Sequence, residues 1–282
     1  MGESTICVVG SVNLDLVAVC ATLPGPGETV VGADFHRYPG GKGANQALAV
    51  QRLGSDVTLI AAVGSDPAAA ESLELLRVAG VDLSQVVVLE RESTGVALIV
   101  VDDAGENQIA VASGANMVLS PEHIHVTGFD AVLCQFEIPD EVVVEAARQA
   151  EGLFCVNTAP ARVLASEIIE RADVIIANEG EYRALAGQLD GFAGLLVVTH
   201  GPDGAEALRN GTVIAQGVPP QVDAIDAVGA GDTFCGALVH SLVRGDGIEH
   251  ALAYASAAGA IAVSRSGAQP AIPTAAEVER VM

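Results

Sequence analysis

A carboxylate follows a short glycine-rich run near the carboxyl end of the sequence. The stretch from Asp226 to Phe234 reads DAVGAGDTF, and apolar residues at helical spacing follow it, which predicts that a helix begins here. Backbone N–H groups converge at a helix start, and the helix dipole adds positive potential there, so the position suits an anion. Asp232 could then deprotonate a hydroxyl while the N–H groups hold a phosphate. On its own, the pattern is more typical of an ordinary helix start with an acidic first turn.

Two polar clusters lie near the amino end. Asn13 and Asp15 follow the first apolar run, and strand alternation places them on one side, where an amide and a carboxylate suit sugar hydroxyls. Taken alone, these two residues are more typical of a turn and a solvated strand end. The run from Gly40 to Asn45, GGKGAN, opens a second predicted helix and contains Lys42, the single lysine of the chain. Its bare N–H groups could contact a polar ligand, although a flexible loop that leads into a helix fits equally well.

Two further strand ends carry candidate residues. The residues Asn178-Glu179-Gly180-Glu181 follow the apolar run Val174–Ala177. They could orient Mg²⁺ and its bound water on a nucleotide, or form a helix N-cap with an acidic first turn. After the run Leu195–Thr199, Gly201 and Gly204 would let a nucleotide approach closely, although a plain turn is the more common meaning of such a segment.

These residues must be positioned by an alternation of strands and helices. Short apolar runs alternate with helical patterns, which predicts a mainly parallel sheet with helices on both faces and ligands at the carboxyl ends of the strands. Aromatic residues make up only 3% of the chain, so its core must consist of Val, Leu, Ile and Ala. The runs expected to be buried strands are Ile6–Val9, Leu59–Val63, Val132–Cys134, Phe154–Val156, Val174–Ala177 and Leu195–Val198.

Two pairs of predicted strands have no helix of their own. They are Asp15–Cys20 with Thr29–Arg37, and Thr94–Asp102 with Asn107–Ala112. We expect a single α/β domain over residues 1–282 with a small β lid formed by about residues 14–37 and 94–113. Such a lid over the strand ends would exclude water. An edge extension of the main sheet is the alternative.

Composition restricts the class of protein. The net charge of −23 argues against nucleic-acid binding, and no apolar run approaches the length of a membrane span. Five scattered cysteines without a Cys-x-x-Cys pair favour reduced thiols and a cytoplasmic location. The six histidines form no set with metal-ligand spacing.

The segments Gly40–Gly54 and Asp226–Val239 resemble, in order and spacing, the two hallmark segments of the ribokinase/PfkB superfamily of sugar kinases. The resemblance extends over nearly the whole chain and is far more specific than any single motif. Further matching pieces are Ser93–Ile99, Gly105–Asn107, Ser113–Asn116, Asn157–Arg162 and Gly267–Pro270.

The resemblance implies a three-layer ribokinase-like fold and an enzyme that phosphorylates a sugar with ATP. It implies that Asp232 is the catalytic base and that Gly229, Ala230 and Gly231 form the anion hole. The residues that it assigns to the sugar are Asn13, Asp15, Gly41, Lys42, Asn45, Glu137 and Asp232. Those that it assigns to Mg²⁺ with ATP are Asn178, Glu181, Thr199, Gly201, Gly204 and Ser256.

Members of the superfamily often bind K⁺ beside the anion hole and pair their lids into a homodimer. By resemblance we expect the homodimer here, and the chain carries residues that match the K⁺ loop. The matching cation residues are Asp226 and the backbone carbonyls of Val228, Arg265 and Gly267. However, Ala227 and Ala271 stand where relatives carry hydroxyl side chains, which leaves K⁺ activation open.

The expected reaction is transfer of the γ-phosphate of ATP to the 5-hydroxyl of D-ribose. Another sugar or nucleoside kinase of the superfamily, acting on deoxyribose, fructose or a nucleoside, is the nearest alternative. A non-catalytic sugar or nucleotide sensor is opposed by the retained Asp232 and its glycines. A nicotinamide oxidoreductase is opposed by the lack of a Gly-x-Gly-x-x-Gly run after the first strand.

Overall fold

The sequence folds into thirteen strands and ten α-helices in a computed structural model, which describes residues 4–282. The strands are β1 (Thr5–Val9), β2 (Asn13–Cys20), β3 (Asp34–Gly40), β4 (Asp56–Gly64), β5 (Val86–Leu89), β6 (Gly95–Asp102), β7 (Asn107–Ala112), β8 (Ala131–Cys134), β9 (Leu153–Asn157), β10 (Val174–Asn178), β11 (Leu195–Thr199), β12 (Ala205–Arg209) and β13 (Thr212–Gly217). The helices are α1 (Lys42–Leu53), α2 (Pro67–Ser72), α3 (Glu74–Ala79), α4 (Asp140–Gln149), α5 (Ser166–Arg171), α6 (Glu179–Leu189), α7 (Ala230–Val243), α8 (Ile248–Val263), α9 (Ala268–Ala271) and α10 (Ala275–Glu279).

Nine strands form the main sheet, in the order β13-β12-β11-β10-β9-β8-β1-β4-β5. All neighbours pair in parallel except at the β12 and β13 edge, which is antiparallel. Strand alternation divides the core into two layers: Ile6 and Val8 pack with α1, α7 and α8 on one face, and Cys7 and Val9 pack with α4 to α6 on the other. This architecture confirms the predicted α/β fold class, with helices on both faces of a mainly parallel sheet.

A second sheet has the strand order β3-β2-β6-β7. Strand β2 begins at Asn13, earlier than predicted, because Asn13 pairs with Gly40 on one side and with Gly95 on the other. Strand β3 begins at Asp34 and not at Thr29, since the preceding segment turns at Gly27 and Gly32, both with positive φ. That this sheet acts as a lid on a single domain stays a prediction.

A carboxylate joins the two sheets. Asp66, the N-cap of α2, accepts a hydrogen bond from the backbone N–H of Ala69 over 3.1 Å. Its other oxygen accepts from the backbone N–H of Thr94, which directly precedes β6, over 2.8 Å. The second sheet is therefore anchored next to the carboxyl end of β4, where ligands of parallel sheets bind. None of the helices in the described part of the chain is both long and apolar enough to cross a membrane.

Candidate active site

At the amino end of α7, the N–H of Ala230 donates to the carbonyl of Ala227 over 3.3 Å, while those of Gly231 and Asp232 have no backbone partner among the described residues. Gly229 is the N-cap with φ 76°, and a Cβ at this position would lie 2.8 Å from the Cβ of Ala268, so both conformation and space require glycine. The first N–H groups of an α-helix have no partner within the helix. Gly231 is exposed, and a Cβ there would meet no atom within 4 Å. An anion can therefore reach the N–H groups of the first turn of α7.

The carboxylate of Asp232 lies in the same turn and is buried. Its Oδ2 accepts a hydrogen bond from Nδ2 of Asn45 over 2.9 Å, and its Oδ1 accepts one from Nε2 of Gln46 over 3.0 Å. Both donors belong to the first turns of α1. The two glycine-rich segments of the sequence therefore meet at one carboxylate, with a donor on each oxygen.

Lys42, the first residue of α1, lies in an acidic environment. The charge of Asp232 raises the pKa of Lys42 most, burial lowers it, and Glu137 and Glu181 raise it further. The backbone N–H of Lys42 donates to Oε2 of Glu137 over 3.1 Å, and Oγ of Ser11 donates to the same oxygen over 2.5 Å. Glu137 is thereby fixed between the end of β1 and the start of α1.

Asn13 is buried at the start of β2. Its Oδ1 accepts a hydrogen bond from Nδ2 of Asn116 over 2.8 Å, and Oδ1 of Asn116 accepts from the backbone N–H of Val12 over 2.9 Å. A Cβ on Gly41, which has φ 89°, would lie 2.7 Å from the backbone nitrogen of Asn13. The amide of Asn13 is therefore oriented by a second buried amide, and Gly41 packs directly against its backbone.

Asp15 is the most perturbed acid of the group. Burial raises the pKa of Asp15 to about 7, with further increases from the charges of Glu137 and Asp232 and a decrease from Lys42. Gly40 leaves room for this carboxylate, because a Cβ at position 40 would collide with it. The structure thus brings together all the residues that the sequence assigned to the sugar.

Asn178 and Glu181 form a capping box at the start of α6. Oδ1 of Asn178 accepts from the backbone N–H of Glu181, and Oε2 of Glu181 accepts from the backbone N–H of Asn178, each over 2.9 Å. Oε2 of Glu181 also accepts from Oγ1 of Thr158 over 3.2 Å. The N-cap alternative is therefore the geometry found. Because Glu181 also raises the pKa of Lys42, its charge acts on the cluster as well.

The loop after β11 borders a cavity of about 320 Å³. Thr199 ends the strand and His200, which follows it, lines the cavity. Gly201 and Gly204 in the same loop have φ values of 58° and 96°. Ser256 on α8 lies behind another lining residue, Gly217, where a Cβ would be 2.8 Å from its Oγ. None of the residues predicted for the nucleotide lines this cavity itself, but chain neighbours of several of them do, namely Glu179, His200, Asp203 and Ala205. Their binding of a nucleotide stays a prediction.

The segments predicted to bind a monovalent cation are joined by Asp226. Its Oδ1 accepts from the backbone N–H of Val228 over 2.9 Å, and its Oδ2 accepts from that of Gly267 over 2.8 Å. The side chain of Arg265 pairs with Glu277 over 2.6 Å. Within residues 4–282, no group of three or more His, Cys, Asp or Glu residues is arranged to bind a metal ion, so a cation here would depend on backbone carbonyls.

Sequence reasoning missed four polar residues of the site. Gln46, Gln135, Ser11 and Thr158 are buried and hydrogen-bonded to the residues described above or to each other. One signal was available for Gln46, which is a polar residue inside the otherwise apolar stretch that follows Asn45. The others are recognisable only once the strand ends are assembled.

The sequence matches the pfkB family carbohydrate kinase model over residues 3–275. The chain belongs to this family. Among curated relatives, it is 36% identical over 292 residues to the ribokinase of Bacillus subtilis, covering 98% of this chain and 99% of the relative. It is also 34% identical over 281 residues to the ATP-dependent ribose-1-phosphate kinase of Halopiger xanaduensis, covering 94% of each.

Solved structures agree with this assignment. The ribokinase of Thermotoga maritima superposes with a TM-score of 0.90 at 31% identity and covers 99% of both chains. The Arabidopsis thaliana ribokinase complexed with ribose and ATP superposes with a TM-score of 0.87 at 28% identity and covers 100% of this chain and 99% of that chain. The chain is a carbohydrate kinase by family.

Proposed function

We propose that this chain transfers the γ-phosphate of ATP to the 5-hydroxyl of D-ribose. The observation that carries the proposal is the position of Asp232: a buried carboxylate with a donor on each oxygen, in the same turn as free helix N–H groups. The ribokinases of Bacillus subtilis and Arabidopsis thaliana support ribose as the acceptor and ATP as the donor.

Asp232 acts as the general base in this proposal. Each carboxylate oxygen has two lone pairs, so after the bonds from Asn45 and Gln46 each oxygen retains a site for the sugar hydroxyl. The N–H groups of Gly229, Ala230 and Gly231 would stabilise the charge that develops on the transferred phosphoryl group. That of Ala230 donates to the carbonyl of Ala227 over 3.3 Å in this structure and would have to exchange that bond. Positioning and electrostatics supply most of the catalysis in phosphoryl transfer, and both are built into the two helix starts.

The remaining sugar contacts follow from unused polar atoms. Oδ1 of Asn45 is buried and has no hydrogen-bond partner among the described residues, so it can accept from a sugar hydroxyl. The carboxylate of Asp15 likewise receives no hydrogen bond from the described residues and can accept from another hydroxyl. Lys42 supplies a hydrogen-bond donor and Glu137 an acceptor from the same cluster. This combination suits a pentose, because each of its hydroxyl groups can both donate and accept.

Mg²⁺ with ATP would be held by Asn178 and Glu181 in this proposal. An amide and a carboxylate are oxygen donors of the kind that Mg²⁺ and its bound waters prefer, and Oε2 of Glu181 is already oriented by Thr158. Bound there, the ion would neutralise charge on the phosphates.

The nucleotide would lie along Thr199, Gly201 and Gly204 with its adenosine near Ser256, whose buried Oγ lacks a partner in the described structure. We expect removal of Mg²⁺ with a chelator to abolish turnover while ribose still binds.

A K⁺ site at Asp226 is also part of the proposal. Asp226 joins the loop at Val228 to the loop at Gly267, so the carbonyls required for a monovalent cation lie on segments already held together. Ala227 and Ala271 offer no hydroxyl oxygen, so we expect only weak activation. Turnover measured with K⁺ and with a bulky organic cation in its place tests this point.

We further propose a homodimer formed through the second sheet. The large apolar residues exposed on this sheet are Phe35, Leu98, Ile109 and Val111, each more than half exposed. Both outer strands, β3 and β7, have an unpaired edge in the main-chain pairing of the sheet. Such surfaces are typical of protein interfaces. Light scattering should give twice the chain mass, and Leu98→Glu should give the monomer.

The five cysteines, buried as free thiols, support the expectation of a reducing, cytoplasmic environment.

The decisive experiment is a panel of acceptors with ATP, scored by kcat/KM. It includes ribose, ribose 1-phosphate, deoxyribose, fructose and a nucleoside, since the Halopiger xanaduensis relative is named for ribose-1-phosphate. We expect ribose to give the highest kcat/KM of these acceptors. A lead by ribose 1-phosphate or a nucleoside would reassign the acceptor, and absence of any ATP-dependent product would favour a sensor.

A further inference from the structure

The side chain of Gln46 makes more contacts with the candidate active site than the sequence motif around it indicates. It is fully buried, and its Nε2 donates to Oδ1 of Asp232 over 3.0 Å and to Oδ1 of Asn157 over 3.2 Å. Its Oε1 accepts from Nε2 of Gln135 over 2.8 Å. Both amide hydrogens and the carbonyl oxygen are therefore used, and the direction of every bond follows from the chemistry of the groups.

The partners of Gln46 belong to the most central strands of the main sheet. Gln135 directly follows β8, and Asn157 is the last residue of β9. Nδ2 of Asn157 donates to the backbone carbonyl of Ile176 on β10 over 3.3 Å. The amide of Gln46 thus connects Asp232 to three adjacent parallel strands, which are rigid because they are buried on both faces.

Two donors on different oxygens define the plane of the Asp232 carboxylate. The final torsion of an aspartate side chain is broad, so a carboxylate held at one oxygen can rotate. Asn45 holds Oδ2, and Gln46 holds Oδ1. Without Gln46, the lone pair that must receive the hydroxyl proton would no longer have a fixed direction, and a base works only within hydrogen-bond reach and alignment.

We propose that Gln46 is a positioning residue for phosphoryl transfer, which fixes the catalytic carboxylate of Asp232 against the ends of β8 and β9 through Gln135 and Asn157. Gln46 does not contact the sugar in this proposal. It acts through Asp232, and the inference therefore rests on Asp232 being the base. Its loss lowers kcat and leaves ribose binding nearly unchanged.

A double-mutant cycle tests this role. Gln46→Met keeps an unbranched side chain of similar length and removes the three hydrogen bonds. We expect kcat to fall roughly 10²-fold, the scale of a displaced catalytic group, while the ribose Kd from calorimetry stays within about threefold. In the Asp232→Ala background, the same change should alter the residual kcat by no more than about twofold, because the group it positions is gone.

A half-buried glutamine outside the site provides the control. Gln149 also uses its whole amide, with bonds to Ile124, Val126 and Glu145. Gln149→Met should lower the unfolding temperature and keep kcat within about twofold of the wild type. If Gln46→Met lowers kcat by the same factor with and without Asp232, the residue is only structural and the proposal is overturned. Wild-type kcat in folded Gln46→Met overturns it as well.

A second variant decides the matter if Gln46→Met does not fold. Gln135→Met retains both donors of Gln46 and releases its carbonyl oxygen. We expect a smaller loss of kcat that also disappears in the Asp232→Ala background, and unchanged turnover in Gln135→Met would contradict the proposal. Near-normal kcat in Asp232→Ala alone would instead show that the proposed base is wrong, which is a different failure.

Discussion

Nδ2 of Asn45 lies 2.9 Å from Oδ2 of Asp232, although the two residues are 187 positions apart in the sequence. The bond joins the first turns of α1 and α7, which pack side by side against the main sheet. Each helix start follows a glycine-rich segment, so the backbone at this junction is open. A polar substrate at the junction would contact both segments at once, and the two motifs therefore form one site.

Asp232→Asn should retain the fold and ribose binding while kcat falls roughly 10²–10⁴-fold, the usual scale for loss of a general base. The amide preserves the volume of the side chain and cannot accept the hydroxyl proton. Steady-state assays with ribose and ATP measure the loss, and calorimetry measures binding. Asp190→Asn, at the carboxyl end of α6, is a matched control that should turn over normally. Near-normal turnover of Asp232→Asn would remove the assignment.

The parts of the site that the sequence predicted are those with a local signal. The start of α7 and the strand end before Asn178 follow from glycine, apolar spacing and strand alternation within a few residues. The role of Gln46 has only a weak local signal, a polar residue beside an apolar stretch, because its partners Gln135 and Asn157 are 89 and 111 positions away. The predicted start of β3 at Thr29 is wrong because the chain turns at Gly32 and pairing with β2 begins only at Asp34.

Burial is a second property that local patterns do not reveal. The sequence predicted that Asp15, like Asn13, is a sugar ligand, and a charged side chain is normally expected to be exposed to solvent. The folded chain buries it among Glu137 and Asp232, and the raised pKa of Asp15 results from that environment. An electrostatic property of the site thus depends on three segments that only the fold brings together.

Asp15→Asn should stabilise the ligand-free protein at pH 8 and raise the KM for ribose. The folded-state pKa of about 7 lies above the ordinary value near 3.9, so the folded state binds the extra proton between these limits. Its ionisation therefore costs stability that grows from about pH 4 to pH 7 and is complete at pH 8. Urea unfolding should show the variant more stable at pH 8 and equal to the wild type at pH 4.

Asp82→Asn is the control of opposite sign. A backbone hydrogen bond from Ser84 lowers the pKa of Asp82, so its charge stabilises the folded state above the ordinary pKa and this contribution is lost as the pH falls through the folded value. The variant should be less stable than the wild type at pH 8. Equal stabilities of wild type and Asp15→Asn at pH 8 would contradict the raised pKa of Asp15.

Gly40→Ala should raise the KM for ribose with little effect on the KM for ATP. The added methyl group would overlap the carboxylate of Asp15, which must move or rotate. We expect a loss of about 10-fold or more in kcat/KM, the scale of one misplaced polar contact. Gly187→Ala, in a helix with no atom within 4 Å of the new methyl group, should leave both constants unchanged. Wild-type kinetics in Gly40→Ala would show that Asp15 is not a sugar ligand.

Protonation of His240 should make the largest contribution to the loss of unfolding free energy between about pH 6.5 and pH 4. It is buried on α7, and its Nδ1 lies 2.7 Å from Oγ of Ser55. Burial lowers the pKa of His240 to about 4, with a smaller contribution from Arg244, so the folded state keeps the ring neutral while the unfolded chain takes up a proton near pH 6.5. Stability that is complete above pH 6.5 is therefore lost as the pH falls towards 4.

His240→Gln removes this titration. The variant should lose stability through the Ser55 contact at pH 8, and the slope of its unfolding free energy between pH 6.5 and pH 4 should be shallower by up to about 1.4 kcal/mol per pH unit, the value for one proton. Urea midpoints across this range measure the slope. His125→Gln, at an exposed position, should reproduce the wild-type slope. Parallel curves for wild type and His240→Gln would mean that the folded protein already binds a proton at His240, because only a group whose protonation differs between the two states can tilt the curve.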